Sequence, residues 1–425
     1  MAWPYTKIAL LHHTGGGNLG DDATMDAVIR NILGRWPEAE ISAFSMNPED
    51  TSKKHGIPSY PIRRHTWSIG YSSTKTISNS VVRIPRAVFR ELAFLVSSLR
   101  NLRSFDLLVV SGGGQLTERS GPWGFPYAVF TWGLMAKAAR IRCLFLNVGA
   151  GPLKHPLSRF FVTRALFAAD YVSFRDVQSQ ALAHDIGFTG PSQVFPDNVY
   201  NLEAPSSEVS SRKRDHSVVG IAPMPYPFCD PREHPSGHQA IYEDFIAKFA
   251  IFASSLARQS YSLELFGSDT GADPSAIEDL RTVLQNRHNI SVSPYDPVNS
   301  VSGLLFRMSA MDYVVTCRFH GVVFAHLLNK PVLAISHHPK VADLMEALGL
   351  SKYCMDIQTF DPNRLTDTFA SLVNDADEVK SSMAVSLAGY RSQLASQFDD
   401  LFPRSPDTKW IPQAIRTRMS GTGYC

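Results

Sequence analysis

Short apolar runs rich in β-branched and aromatic residues alternate with stretches of helical periodicity along most of the chain. In the first half the runs cover residues 7–13, 41–46, 106–111, 142–148, 171–175 and 193–195. Between them lie helix-like segments such as "ATMDAVIRNILGRW", "YAVFTWGLMAKAAR" and "FVTRALFAA". The polar, aperiodic stretch "NLEAPSSEVSSRKRDHS" follows, and then the alternation restarts with "SVVGIAPMP", "YSLELFGS", "ISVSPY", "YVVTCRFH" and "PVLAIS". Strands separated by helices predict crossover units and a largely parallel sheet. The expected fold class is therefore α/β, with two doubly wound, Rossmann-like domains facing a cleft. Their expected extents are 1–200 and 218–375, joined by a linker at 201–217, with a helical tail at 376–425 packing back on the first domain.

Ligands of such sheets collect at the carboxyl ends of the strands, so the turns there come next. "HHTGGGNLGDDA", residues 12–23, lacks the lysine of a phosphate-binding loop and the spacing of a dinucleotide fingerprint. Its glycines permit close backbone approach, and Asp21 or Asp22 suits the N-cap of the following helix. With two acids nearby, a sugar hydroxyl is a more natural partner than a bare phosphate. "SGGGQL" and "NVGAGPL" are two further glycine turns at strand ends of the same sheet. In the second half "TCRFHG" places Arg318 and His320 where a strand stops and a helix starts. Arg offers a rigid fork to carboxylate or phosphate, and His titrates near neutral pH. "SHHPK" adds Lys340, with His337 and His338 read as loop residues. Arg175 and Asp176 end another strand, where Asp176 either pairs with Arg175 or caps a helix. Asp197 ends a third.

Composition narrows the classes. The 425 residues are 44% hydrophobic and 19% charged, with a net charge of +2, which supports a sizeable core and argues against nucleic acid as partner. The five cysteines form no Cys-x-x-Cys pair, and Cys143 and Cys317 lie in apolar runs as core residues. No metal-ligand pattern is present. The opening residues lack the features of a signal peptide, and no apolar stretch reaches the length of a membrane span. A cytoplasmic location is expected. Charge is uneven, however: between Lys53 and Arg103 there are ten Lys or Arg residues and one acid, Glu91. "VVRIPRAVFRELAFLVSSLRNLR" is basic, apolar and roughly helical in spacing, suited either to an anionic membrane face or to its own domain.

"GNLGDDA", "SGGGQL", "GAGPL", "VSFRDVQSQAL", "PDN" and above all "CRFHGVVFAHLLNKPVLAISHHPKV" occur in an order in which the chain resembles the polysaccharide pyruvyl transferase family. This family includes colanic acid pyruvyl transferases and yeast cell-surface pyruvylating enzymes. The resemblance implies an architecture similar to glycosyltransferase B, with phosphoenolpyruvate as donor. The implied product is a pyruvate ketal on two hydroxyls of a sugar, made during surface or exopolysaccharide biosynthesis. Arg318 and His320 match the family's Arg-x-His motif, Arg175 its strand-end Arg-Asp, and Asn18 and Asp21 its Asn-x-Gly-Asp turn. Cys317 stands where glycine is common and Asn147 where glutamine is frequent; neither change removes a charge.

On this reading His320 is the general acid and Asp21 the second catalytic group. Arg175, Arg318, Lys340 and Gly321 bind the donor. Asn18, Asp22, Gly113, Gly114 and Asp197 bind the acceptor, a sugar, oligosaccharide or lipid-linked glycan. No cofactor is expected beyond phosphoenolpyruvate as co-substrate. The competing expectation is a nucleotide-sugar glycosyltransferase of the same architecture.

Overall fold

The computed structural model describes residues 6–64, 80–118, 121–205, 216–226 and 238–404. Cys229, Cys425 and most of the expected linker lie outside them. The chain divides into two compact units, residues 1–16, 24–198 and 393–425 in the first and 17–23 and 199–392 in the second.

Among the described residues the first unit carries eight strands: β1 (Lys7–Leu11), β2 (Glu40–Ser45), β3 (Ser59–Pro61), β4 (Leu107–Val110), β5 (Gly113–Leu116), β6 (Arg142–Ala150), β7 (Tyr171–Phe174) and β8 (Gln193–Val194). Their order is β3-β2-β1-β4-β6-β7-β8, with β5 also on β6, and every pairing is parallel. The period-two alternation divides the side chains between two cores. Ala9, Leu11, Leu108, Val110, Cys143 and Phe145 join the helices Phe125–Ala139 and Pro156–Ala168 on one face. Ile8, Leu10, Leu107, Val109, Leu144 and Leu146 meet the helix Leu19–Leu33 and Phe398 and Phe402 on the other. Covered on both faces, the strands read as continuous apolar runs, which is why the sequence shows them so plainly.

The second unit holds β9 (Val218–Ala222), β10 (Ser262–Leu265), β11 (Tyr313–Thr316), β12 (Val332–Ser336) and β13 (Cys354–Asp356) in the parallel order β10-β9-β11-β12-β13. Both orders are those of doubly wound sheets. Their winding reverses between β1 and β4 in the first and between β9 and β11 in the second.

Four local expectations change. "ISVSPY" forms no strand. Its side chains alternate, but Pro294 has no N–H to give a ladder, and the segment does not pair with the edge strand β10. The "SGGGQL" turn contains β5, and "NVGA" continues β6 rather than ending it; the register slips between Phe145 and Val148, where Asn147 takes φ 52°. The first helix begins at Leu19, not Ala23, so Asp21 and Asp22 lie inside its first turn. Finally, residues 17–23, expected with the first domain, group with the second unit, where the backbone of residues 17–19 bonds to residues 268–270. Residues 376–392 also group there, while the end of the same helix, Ala376–Leu401, packs in the first unit.

Candidate active site

The turn "GNLGD" is held by backbone hydrogen bonds within the second unit. Leu19 N donates to Ser268 O and Thr270 N to Gly17 O, both at 2.8 Å, while Asn18 bridges Asp269. Asn18 Oδ1 accepts from Gly20 N at 2.9 Å, so Asn18 caps the helix. Asp21 and Asp22, both buried, sit at its positive end.

The turn therefore packs against the imidazole of His320. A Cβ on Gly20 would overlap that ring. The glycine of Asn-x-Gly-Asp is needed for the close approach of a helix backbone to a side chain rather than for φ freedom. His320 is itself buried at 8% exposure and contacts the Phe319 ring edge-on.

Arg318 lies at the end of β11, at the winding reversal of the second sheet. Its Nε and Nη2 donate to Asp273 Oδ1 at 3.0 and 2.5 Å, with Asp269 at 3.7 Å. Asp273 is fully buried, and its other oxygen accepts from Ser268 N and Asp269 N at 3.0 Å each. Burial pushes its carboxyl above the usual range, and Arg318 opposes that shift. The guanidinium is thus fixed in direction by a carboxylate that is itself fixed by two amides.

Two helices, Phe319–Leu327 and Pro339–Ala347, start beside each other at the ends of the adjacent strands β11 and β12. Their N-termini add partial positive charge to Arg318 and Lys340. Lys340 Nζ stands 5.9 Å from the centroid of the Phe319 ring, and His338 Nδ1 accepts from Lys340 N as N-cap. His337 donates Nδ1–H to Cys317 O at 2.8 Å. Burial first, then the charges of Lys340 and Arg318, press its pKa down to about 3. It is a neutral imidazole among cations. Gly321 is packed against Thr316, whose Oγ1 a Cβ would overlap.

The remaining candidates belong to the first unit. Arg175 packs over Gly149 and pairs with Asp176 and Asp197 at 3.4 Å each, and the Arg175 and Asp197 side chains are 6% and 4% exposed. Asp176 both pairs with Arg175 and caps the helix Val177–Asp185, accepting from Ser179 N at 2.6 Å. Gly113, at φ 69°, lies where a Cβ would meet His12 Nε2 at 3.0 Å; Gly114 faces open space. Asn147 joins Asn198, Ser173 and Gln397 in a buried amide network.

The second unit therefore brings together Asn18, Asp21, Asp22, Arg318, His320, Gly321 and Lys340; the first holds Gly113, Gly114, Arg175 and Asp197. Sequence reasoning passed over Asp269 and Asp273 and read His337 only as a loop residue. "FGSDTGAD" did carry a signal, a glycine turn with two acids after a strand, but nothing local linked it to Arg318.

The chain matches the family model described as polysaccharide pyruvyl transferase over residues 18–339. No protein with a curated description matches the sequence. Among solved structures, S. aureus MnaA with UDP is similar at 14% identity and TM-score 0.56, covering 92% of this chain and 94% of that one. UDP-GlcNAc 2-epimerase from Neisseria meningitidis bound to UDP-GlcNAc shares 14% identity, covers 89% and 94%, and has a TM-score of 0.52. Spinosyn rhamnosyltransferase SpnG with thymidine diphosphate shares 13%, covers 93% and 99%, and has a TM-score of 0.50. At these identities the likeness is one of fold: a glycosyltransferase-B-like pair of Rossmann-like units.

Proposed function

Because the chain belongs to the polysaccharide pyruvyl transferase family, we propose that it transfers the pyruvate unit of phosphoenolpyruvate to two hydroxyls of a sugar. The observation that supports this most is the cationic strand-end cluster of the second unit. Phosphoenolpyruvate carries a carboxylate and a phosphate, and Arg318, Lys340 and two helix N-termini supply matching positive charge. His320 delivers a proton to the methylene carbon, leaving an oxocarbenium-like centre at C2. A sugar hydroxyl attacks C2 as Asp21 takes its proton, that proton departs with the leaving phosphate, and a second hydroxyl closes the ketal by returning its proton to His320. General-acid catalysis of this kind contributes about 10²–10⁴-fold. We assign that base role to Asp21 because it adjoins Gly20, against which the His320 ring packs. Arg175, which belongs to the first unit, and Arg318 are each paired with two carboxylates, so ion pairing does not rank them as donor ligands.

A nucleotide-sugar transferase is the second reading, favoured by relatives in fold that were solved with UDP or thymidine diphosphate. Thermal-shift titration separates the two. Saturable stabilisation by phosphoenolpyruvate, absent for UDP-sugars and lost in folded Arg318→Ala, is the expected result. Stabilisation by a UDP-sugar alone moves the protein to the second reading.

A further inference from the structure

The helix Ser80–Leu102 packs Leu95, Leu99 and Leu102 into the first unit's core, yet its outward side is also apolar. Val88, Phe89, Leu92 and Val96 are 52%, 72%, 56% and 48% exposed, and 88, 92 and 96 fall one helical turn apart. A surface helix ordinarily turns polar residues outward. The same layer continues through the helices Phe125–Ala139 and Pro156–Ala168, which pack side by side against the same core. Leu134, Phe160 and Phe167 are exposed there. All but one of the charges on these three helices are positive. Their sequences contain a single acid, Glu91, and it is engaged by Arg64 and Tyr127. Exposed cations surround the apolar side chains, Arg90 and Arg100 on the first helix, Lys137 on the second, Arg159 and Arg164 on the third. Arg164 lies 5.5 Å above the Phe160 ring, its charged end in solvent over an apolar body.

We infer that this face docks on an anionic lipid bilayer, with the apolar side chains entering the headgroup–acyl boundary and the cations facing lipid phosphates. Charge complementarity selects the lipid surface. A second copy would place this basic rim against itself, and like charges repel. No helix among the described residues is long and apolar enough to cross a membrane, so the contact is peripheral.

Vesicle co-sedimentation of the full chain tests this, with phosphatidylcholine alone and with added phosphatidylglycerol, at low and high salt. The expected result is binding only to the anionic vesicles, released by high salt. Phe89→Glu with Leu92→Glu should weaken it by at least about tenfold, and Arg90→Gln with Arg100→Gln should weaken it while flattening the salt dependence. All four side chains are exposed, so thermal denaturation should stay unchanged. No binding to anionic vesicles at low salt overturns the inference, as does undiminished binding in both variants. So does a concentration-dependent dimer, abolished by the Phe89 and Leu92 substitutions, in protein that leaves vesicles untouched.

Discussion

Arg318 and Asp273 share one carboxylate oxygen between two guanidinium nitrogens, at 3.0 and 2.5 Å, with Asp273 sealed from solvent. The pair converts a flexible cation into a directed one. Breaking a buried pair from one side costs roughly 3–5 kcal/mol, because the remaining group stays uncompensated. With Arg318 partly exposed, Asp273→Ala is expected at the lower end, about 3 kcal/mol, in urea unfolding. The same variant should raise the KM for phosphoenolpyruvate more than it lowers kcat. A loss below about 1 kcal/mol would mean that Asp273 neither supports the fold nor aims Arg318.

His320→Ala should abolish turnover while circular dichroism stays native, since the ring is a reactant on this reading. Gly20→Ala is the subtler test. Alanine favours the helix by up to about 1 kcal/mol, but its Cβ overlaps the His320 ring and must move it. Displacing a catalytic group by about 1 Å can cost about a hundredfold in rate. Gly16→Ala, where a Cβ meets nothing within 4 Å, serves as control and should be silent. Near-normal turnover in folded His320→Ala would remove His320 from the acid role.

Two histidines, His326 buried and His337 half-buried, set an acid limit to stability. His326 donates Nε2–H to Met383 O at 3.0 Å inside the second unit, and burial lowers its pKa to about 4; His337 falls to about 3. Both stay neutral in the folded protein while the unfolded chain takes up protons near 6.5. The unfolded state thus binds more protons as pH falls, so stability is full above about 6.5 and declines below it. His326 alone accounts for roughly 3 kcal/mol lost between pH 6.5 and 4. Urea midpoints from pH 7.5 to 4.5 should drop steeply, and His326→Gln should flatten the curve. An unchanged slope in that variant would contradict the assignment.

In the first unit, Gln397 accepts from Asn147 Nδ2 at 2.9 Å, and the two hydrogens of its Nε2 are shared among Asn147 Oδ1, Tyr171 Oη and Ser173 Oγ at 2.8–3.0 Å. Gln397→Leu leaves a buried amide unsatisfied and should cost about 1–3 kcal/mol. Gln397→Glu should be worse at pH 7 than at pH 5, because its carboxylate would be buried without a cation among these partners. Equal stability of both variants and the native protein would show that water satisfies the network.

Arg175→Met tests whether the first unit's motif arginine is structural. Removing it leaves Asp197 buried at 4% exposure without its cation, an expected loss of about 3 kcal/mol read in the same urea assay. A stable variant with weakened phosphoenolpyruvate binding would instead return Arg175 to the donor site.

The sequence by itself determined the fold class. Strands covered on both faces must be apolar at every position, and the helices between them must be amphipathic, so the order of elements is written locally. It also marked Arg318 and His320, because a strand end that carries Arg-x-His into a helix is a local pattern. What only the tertiary structure decided is what those side chains touch. Asp273 and Gly20 have no sequence signal that joins them to Arg318 and His320, since their pairing depends on how distant loops meet at a sheet edge. "ISVSPY" shows the same limit from the other side, for its alternation suits a strand, yet it stays unpaired beside the open edge of β10. The segment around Val88–Val96 was legible as basic, apolar and helical in spacing. Which of its sides met the core was not, because a helix apolar on two sides leaves that choice to packing.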